Sequence, residues 1–245
     1  MIYFFTGKPG NGKSLHMAEI IYHAMKQGKN VIANFAINEG SFDGCRAKKK
    51  GTLGQFLCMD NRYWRDNAFL DRHRQPLNDG AHYSYLEGLY GYALQFHERN
   101  GRGQIKEGQT LLVLDECQEL FNARSWNRRD RLLWCAFFRQ HRKFGYDVYL
   151  ISQDDKVIDK QIRSILQDEY EHRCVNHYKF FGKFLGLLSG GKLFVCIRRT
   201  YMFGKKTKDA KQDAHFFRGR KKYYGFYDSY QVFGQAGHPE APAEG

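Results

Sequence analysis

Eight consecutive residues near the amino terminus have the most specific chemical signature in this chain. Gly7-Lys8-Pro9-Gly10-Asn11-Gly12-Lys13-Ser14 matches the pattern G-x-x-x-x-G-K-[S/T] at every fixed position. In this pattern the glycines let backbone N–H groups approach phosphates, the lysine reaches the β- and γ-phosphates, and the hydroxyl ligates Mg²⁺. We predict that this phosphate loop binds ATP or GTP together with Mg²⁺, and that Ser14 is one metal ligand.

Two acidic residues follow an apolar run far along the chain. Residues 110–114 are apolar after a first threonine, and Asp115 and Glu116 come directly after them. This pattern is typical of a buried parallel strand with acids at its carboxyl end. We expect Asp115 to hold Mg²⁺ and Glu116 to orient or deprotonate the attacking water. A helix N-cap or a solvated turn is the alternative interpretation of the pair.

A polar residue also follows a third predicted strand. Residues 147–151 favour β-structure, and Ser152 and Gln153 come next. Since the carboxyl ends of parallel strands face the ligand crevice, Gln153 could sense the γ-phosphate or hold the attacking water. An ordinary polar strand end is the alternative.

The flanking elements fit these sites. Apolar residues precede the phosphate loop and helical periodicity follows it, residues 29–35 form a predicted second strand, and residues 131–143 are apolar at helical spacing with a basic end. Together these patterns predict an α/β fold: a P-loop NTPase with a mainly parallel sheet flanked by helices, plus a small β-rich C-terminal extension.

The predicted domain organisation has three parts. Residues 1–170 form the P-loop NTPase domain, with an insertion over residues 40–108 in which Ser84 and Glu87 could begin a helix. Residues 171–235 form a small, β-rich basic extension that we expect to be antiparallel, and residues 236–245 form a disordered tail rich in proline and alanine.

The combined motifs resemble a known family. The phosphate loop, Asn34 after the second strand, the Leu-Asp-Glu at 114–116, the His141-Arg142-x-x-Gly145 helix end and the Ser152-Gln153 strand end are similar to those of the zonular occludens toxin (Zot) family. These are assembly ATPases of filamentous phages and prophages. The resemblance spans residues 1–170 and corresponds to the cytoplasmic ATPase domain.

The resemblance implies roles for particular residues. Phosphate binding falls to the loop at 7–14, metal and water activation to Asp115 and Glu116, and γ-phosphate sensing to Gln153. Arg142 is the preferred candidate for an arginine finger that acts on a neighbouring subunit. Further candidates are Arg139, Arg124, Arg128 and Arg129.

The resemblance also implies an activity and partners. It implies an ATP-driven motor that works as a homo-oligomeric ring at the cytoplasmic face of the inner membrane. Its expected partners are phage single-stranded DNA or the protein that coats it, and other phage assembly proteins. Two alternatives stay open: a soluble nucleotide or small-molecule kinase, and a nucleotide-gated assembly adaptor with little hydrolysis.

Two features bear on the membrane. Family members usually continue into a transmembrane helix, but residues 180–197 are interrupted by two lysines and four glycines, so they do not provide about twenty apolar residues. We expect that the chain is cut before its membrane segment; a soluble variant is the alternative. Residues 198–222 contain ten Lys/Arg against two Asp. This segment suits a position beside a membrane, a single-stranded nucleic acid, or a solvated tail.

The thiols and imidazoles form no linear metal motif. The sequence has 10 histidines without a zinc-ligand spacing, and 6 cysteines without a C-x-x-C pair. These spacings are typical of reduced thiols. They give no indication of a bound metal beyond the Mg²⁺ expected at the phosphate loop. The cysteines are Cys45, Cys58, Cys117, Cys135, Cys174 and Cys196.

Overall fold

Eight strands form one sheet in the computed structural model, which describes residues 1–38, 40, 51–66, 88–125, 130–175, 192–201 and 211–226. In chain order they are β1 (Ile2–Thr6), β2 (Asn30–Ala33), β3 (Phe56–Cys58), β4 (Thr110–Leu114), β5 (Tyr146–Ile151), β6 (Asp168–Cys174), β7 (Leu193–Thr200) and β8 (Lys211–Arg218). Their order across the sheet is β3-β2-β4-β5-β1-β6-β7-β8. The strands from β3 to β6 in that order pair in parallel, and β7 and β8 pair antiparallel. The predicted α/β fold with a mainly parallel sheet is confirmed.

Helices cover both faces of this sheet. Phe5, Val113 and Ile151 point to the face covered by α1, whereas Phe4, Leu112 and Leu150 point to the face covered by α2 to α5. This arrangement follows from the alternation of side chains along each strand, since both faces of a parallel sheet are buried. The helices are α1 (Lys13–Lys26), α2 (Asn61–Asp66), α3 (Gly88–Phe96), α4 (Arg131–Gln140), α5 (Lys160–Arg163) and α6 (Lys221–Tyr224). Short 3₁₀ turns occupy Cys117–Glu119, Ala123–Ser125, His141–Phe144 and Asp155–Val157.

The strand order determines which loops meet. β5 lies between β1, which precedes the phosphate loop, and β4, which precedes the acid pair. Because these strands are parallel, their carboxyl ends share one edge of the sheet. That edge therefore carries the phosphate loop, Gln153, Asp115 and Asn34 in spatial order.

The β-rich extension differs from its prediction at one strand. β6 was expected to begin an antiparallel unit, but it pairs in parallel with β1 and extends the main sheet. The antiparallel part starts with β7, and the first arginines of the basic segment form ion pairs with β6, Arg198 with Asp168 at 2.5 Å and Arg199 with Glu171 at 3.2 Å. Strand propensity in residues 170–178 identified a strand there, but it contains no information about which neighbour the strand pairs with.

Parts of the predicted insertion also belong to the sheet. β3 lies within residues 40–108 and pairs with β2. The helix start predicted at Ser84 and Glu87 lies outside the described residues, and so do Arg128, Arg129 and the tail at 236–245. The domain boundaries stay predictions. Among the described helices, none has both the length and the apolar content to span a bilayer.

Candidate nucleotide-binding site

The phosphate loop joins β1 to α1 in the conformation that its glycines predict. Gly7, Gly10 and Gly12 have φ angles of 138°, 77° and 89°. The Lys13 ammonium folds back over the loop and donates to the Gly7 carbonyl at 2.8 Å. Lys13 is 7% exposed, so its charge is concentrated in an enclosed position at the start of α1. A loop of this kind, at the N-terminus of a helix, is suited to bind phosphate.

Two glycines of the loop are required by their neighbours as well as by their φ angles. A Cβ on Gly7 would lie 2.5 Å from the carbonyl oxygen of His172, and one on Gly12 would lie 2.7 Å from the ring of Phe194. Asn11 adds a hydrogen bond from Nδ2 to the same His172 carbonyl at 3.0 Å. β6 and β7 therefore pack against the phosphate loop. No side chain larger than that of glycine fits at Gly7 or Gly12 unless these strands are displaced.

Asp115 lies at the end of β4 and is clamped by Asn34. The Asn34 amide accepts from the Asp115 N–H and donates to the Asp115 carbonyl, both at 2.8 Å and both buried. Asp115 is 4% exposed, and its Oδ1 accepts from the Glu116 N–H at 2.8 Å. Because β2 and β4 are adjacent, the residue after β2 can hold the backbone that carries the acid. This clamp gives Asn34 a physical role at the site.

Glu116 has the only positive φ among the described non-glycine residues, at 44°. A left-handed conformation is costly for such a residue, and residues held in it cluster at functional sites. Both carboxylate oxygens are hydrogen bonded: Oε2 accepts from Gln118 Nε2, and Oε1 accepts from Gln153 Nε2 at 3.3 Å. Ser152 Oγ donates to Gln118 Oε1 at 2.9 Å, so polar groups link the ends of β4 and β5.

Lys13 shares an electrostatic environment with the acid pair. Burial lowers the pKa of Lys13, while the negative charges of Asp115 and then Glu116 act in the opposite direction and favour the ammonium form. The structure therefore brings together Lys13, Asp115, Glu116 and Gln153, which are separated by up to 140 residues in the sequence. Their chemical roles stay predictions.

A cleft of about 760 Å³ opens beside the phosphate loop. Its walls come from the loop itself, from the segment after β5, and from β6, and they include Lys8, Gln153, Lys156 and Glu171. This volume lies within the usual range of small-ligand sites, roughly 300–1,000 Å³. The cleft is therefore large enough for part of a nucleotide next to the loop.

The predicted arginine finger lies at the opposite edge of the sheet. Arg142 belongs to the turn before β5, and its guanidinium forms a two-pronged pair with Glu107, with hydrogen bonds of 2.9 to 3.1 Å. Both side chains are about 60% exposed (63% and 60%). Since this turn precedes β5 whereas the phosphate loop follows β1, Arg142 cannot reach the loop of its own chain. It could act only on another copy.

Three supporting residues were missed in the sequence. Gln118 contacts Glu116 and Ser152, while Asn61 links Asn34 to Glu119 through hydrogen bonds of 3.0 and 2.6 Å. Gln118 and Glu119 follow the acid pair within three residues. This cluster of polar residues in one tight turn could have identified both as supporting residues from the sequence. Asn61 had no such signal, since only the pairing of β3 with β2 brings it close.

Comparisons with known proteins agree with the sequence motifs. The family model of zonular occludens toxin (Zot) matches residues 93–183, which contain the acid pair and Gln153. The chain is 31% identical over 244 residues to the gene 1 protein of Enterobacteria phage I2-2, covering 95% of this chain and 57% of that protein. It is 28% identical over 237 residues to the gene 1 protein of Enterobacteria phage M13, covering 95% and 60%. The chain thus spans less than two thirds of these curated relatives.

A solved structure supports the fold. The N-terminal domain of zonular occludens toxin from Neisseria meningitidis superimposes with a TM-score of 0.51 at 15% identity, covering 93% of this chain and 98% of that one. At this identity the match concerns the fold alone. With the phosphate loop between β1 and α1, the chain has a P-loop NTPase fold, and the resemblance to the Zot family is confirmed.

Proposed function

We propose that this relative of the Zot family binds and hydrolyses ATP with Mg²⁺ as a motor for filamentous phage assembly. The observation that carries the proposal is the hydrogen bond between Gln153 and Glu116 beside the phosphate loop. It joins the residue after β5 to the acid after β4, at the edge where the γ-phosphate would lie. GTP in place of ATP is an outcome that a direct comparison of the two nucleotides would reveal.

The loop residues suit a triphosphate. Lys13 now donates to two loop carbonyls, Gly7 at 2.8 Å and Lys8 at 3.5 Å, and we expect it to exchange these for β- and γ-phosphate oxygens. The Ser14 hydroxyl and the buried Asp115 carboxylate are the oxygen donors that fit Mg²⁺, either directly or through water. Bound Mg²⁺ would neutralise charge that develops on the transferred phosphoryl group.

Glu116 is the residue that we assign to water activation. Its carboxylate is oriented by Gln118 on one oxygen and Gln153 on the other. An amide donor on each oxygen fixes the carboxylate plane, so a water can be held in one direction relative to the phosphate. Such an arrangement suits water as the acceptor, which argues against the kinase alternative.

Phage assembly and its setting rest on the relatives. Gene 1 proteins of filamentous phages match 95% of this chain. We therefore propose action on phage single-stranded DNA or its coating protein, with other assembly proteins, at the cytoplasmic face of the host inner membrane. Contact with the membrane would use a segment that is not among the described helices.

Self-association is proposed from the position of Arg142. Arg142 lies at the amino ends of the parallel strands, whereas the phosphate loop lies at their carboxyl ends. It can therefore serve as a finger only if the amino-end side of one copy faces the phosphate loop of the next copy in a ring. The guanidinium is exposed and is paired with Glu107. Arg139, in the last turn of α4, and Arg124, exposed in the turn after the acid pair, are the further candidates on described residues.

The first test is steady-state ATP hydrolysis over a series of protein concentrations, with and without single-stranded DNA. We expect specific activity to rise with concentration and to be lost in Lys13→Ala. Lys160→Ala is the control, since it removes an exposed lysine from α5, outside the phosphate loop and the cleft, and should retain most activity. Bound nucleotide without hydrolysis under any condition would favour the adaptor.

The second test separates a shared site from a complete one. Lys13→Ala and Arg142→Ala are mixed in equal amounts, with Glu107→Gln as a control for the exposed pair. If Arg142 acts on a neighbour, each variant alone is inactive and the mixture recovers part of the activity. An active Arg142→Ala variant, alone and at every concentration, would remove Arg142 from the mechanism.

A further inference from the structure

Three metal-binding side chains that the nucleotide site does not use converge behind the phosphate loop. They are His16 from the first turn of α1, Cys196 from β7 and His215 from β8. One donor atom from each lies within 4.8 Å of the others. We propose that these residues bind one Zn²⁺ ion, which ties the helix after the phosphate loop to the two antiparallel strands.

Sheet pairing explains the convergence. His172 lies opposite Cys196, and Cys196 lies opposite His215, in consecutive antiparallel pairs. Directly opposite residues in a sheet present their side chains on the same face. His16 reaches that face from α1, with its ring 5.1 Å from the ring of His172 and 5.2 Å from that of His215. The site therefore combines residues that are up to 199 positions apart in the sequence.

The hydrogen bonds of His16 and His172 leave one ring nitrogen of His16 with a lone pair that neither bond uses. His172 faces the Tyr170 carbonyl with Nδ1 at 2.9 Å, so this nitrogen carries the proton and donates. In the neutral ring Nε2 is then an acceptor, and His16 Nδ1, at 2.8 Å from it, must donate. His16 Nε2 is left as a base, and it has no hydrogen bond within the described part of the chain.

This arrangement matches the usual surroundings of a metal-bound histidine. Such a ring donates its second N–H to an acceptor that fixes both its tautomer and its orientation. Here His172 is that acceptor, and it is fully buried. His16 Nε2, the ring nitrogen left without a proton, is thereby available as a ligand.

The donor types select the metal. One thiolate and two imidazoles suit zinc, whereas Mg²⁺ prefers oxygen donors. Zinc bonds of about 2.0–2.3 Å place tetrahedral donors roughly 3.3–3.8 Å apart, so the three residues need to close by about 1 Å. On binding, the Cys196 S–H bond breaks, its proton passes to solvent, and sulfur bonds to the metal. The exposed side of His215 leaves room for water as the fourth ligand.

The proposal revises the expectation that no metal other than Mg²⁺ is indicated. That expectation came from spacing along the chain, and the ligands come from three separate elements. The ion would also lie near the nucleotide. His16 comes two residues after Ser14 in the sequence, and Phe194, which contacts Gly12, comes two residues before Cys196. The proposed role of the ion is to fix the side of the phosphate loop that faces β6 and β7.

The test uses Co²⁺ as a spectroscopic probe and Zn²⁺ as the competitor, on the metal-free full chain without nucleotide. We expect one equivalent of Co²⁺ to give a thiolate-to-metal charge-transfer band that Zn²⁺ removes. At Zn²⁺ about 100-fold above its Kd, Tm should rise by roughly 5–10 °C. The band and the shift should be lost in Cys196→Ser.

Controls make the outcome specific. Cys58→Ser, at the far end of the sheet, and His23→Ala, on the same helix as His16, should both keep the band. His215→Ala removes an exposed ligand from the edge strand, so it should fold normally and weaken metal binding at least about tenfold. Ser14→Ala should bind Co²⁺ as the wild type does. Absence of the band in the wild type, or its persistence in Cys196→Ser, would overturn the proposal.

Discussion

The phosphate loop has different neighbours on the two sides of β1. On the side of β5 and β4, the contacts are polar: Glu116, Gln153 and Gln118 exchange hydrogen bonds at the strand ends. On the side of β6 and β7, the contacts are backbone and rings: the His172 carbonyl lies against Gly7, and Phe194 lies against Gly12.

This difference separates chemistry from support. The polar side contains the groups that we expect to act on phosphate and water, and their identities follow from motifs of a few residues. The ring side provides shape, with stacking between His16 and Phe217 and between Phe194 and Phe217 at centroid distances of 4.6 and 5.3 Å. Substitutions of the polar groups at the strand ends, above all Glu116, should therefore change turnover, and substitutions on the ring side should change nucleotide affinity and stability.

The largest effect should come from Glu116→Gln on the polar side. The amide cannot accept a proton from water, so kcat should fall about 10²- to 10⁴-fold. ATP affinity should stay close to that of the wild type, because the loop at 7–14 is unchanged. Paired measurements of turnover and of equilibrium binding check this. An equal loss in both would show that Glu116 holds the nucleotide and does not activate water.

A smaller effect is expected from Asn34→Ala, which removes the clamp on Asp115. Two buried backbone groups lose their partners, at about 1–3 kcal/mol each, so the free energy of unfolding should fall by roughly 2–6 kcal/mol. Asn61→Ala is the control, since it removes one hydrogen bond to the same amide and one to Glu119 but leaves the Asp115 backbone paired with Asn34. Denaturant unfolding compares the two. Equal effects would mean that the clamp is not the main role of Asn34.

The link between the two sides can be tested at Gly12. Gly12→Ala places a Cβ against Phe194 and keeps a left-handed φ, which together should cost about 1–3 kcal/mol and weaken ATP binding at least about tenfold. Adding Phe194→Leu should restore part of this loss, because the clash is relieved and the φ strain stays. Nucleotide titrations of Gly12→Ala and of the double variant measure both the loss and the recovery of ATP affinity. No recovery in the double variant would leave backbone strain as the whole effect.

The smallest predicted effect concerns His97, on the polar side but away from the loop. Burial lowers its pKa, and its ring lies between Thr110 Oγ1 at 2.7 Å and the Phe144 carbonyl at 2.6 Å. Below about pH 6.5 the unfolded chain takes up a proton that the folded ring resists, so stability falls as pH falls. Between pH 7.5 and 5.5 the loss from this group should be at most about 1.4 kcal/mol.

The matched variant for this prediction is His97→Gln, which keeps one donor and one acceptor. Urea unfolding at pH 7.5 and at pH 5.5 gives the pH dependence of each protein. The variant should lose less stability on acidification than the wild type. An identical pH dependence would show that His97 titrates alike in the folded and unfolded states.

Local motifs predicted most of the polar side. The loop at 7–14, the strands before Asp115 and Gln153, and the sheet class all follow from short patterns, since each places its residues within one element. Asn61, Phe194 and the histidine cluster could not be predicted in this way. Their positions depend on which strands pair, and β6 shows the difficulty, because the same strand propensity suits both parallel and antiparallel neighbours.

Amide hydrogen exchange with a non-hydrolysable ATP analogue and Mg²⁺ tests the central claim most directly. If the ends of β1, β4 and β5 form one nucleotide site, protection should increase together in residues 7–14, 115–118 and 152–153, and Lys13→Ala should abolish it in all three. Protection confined to one segment, or located elsewhere while these segments exchange unchanged, would contradict a single site built from these strand ends.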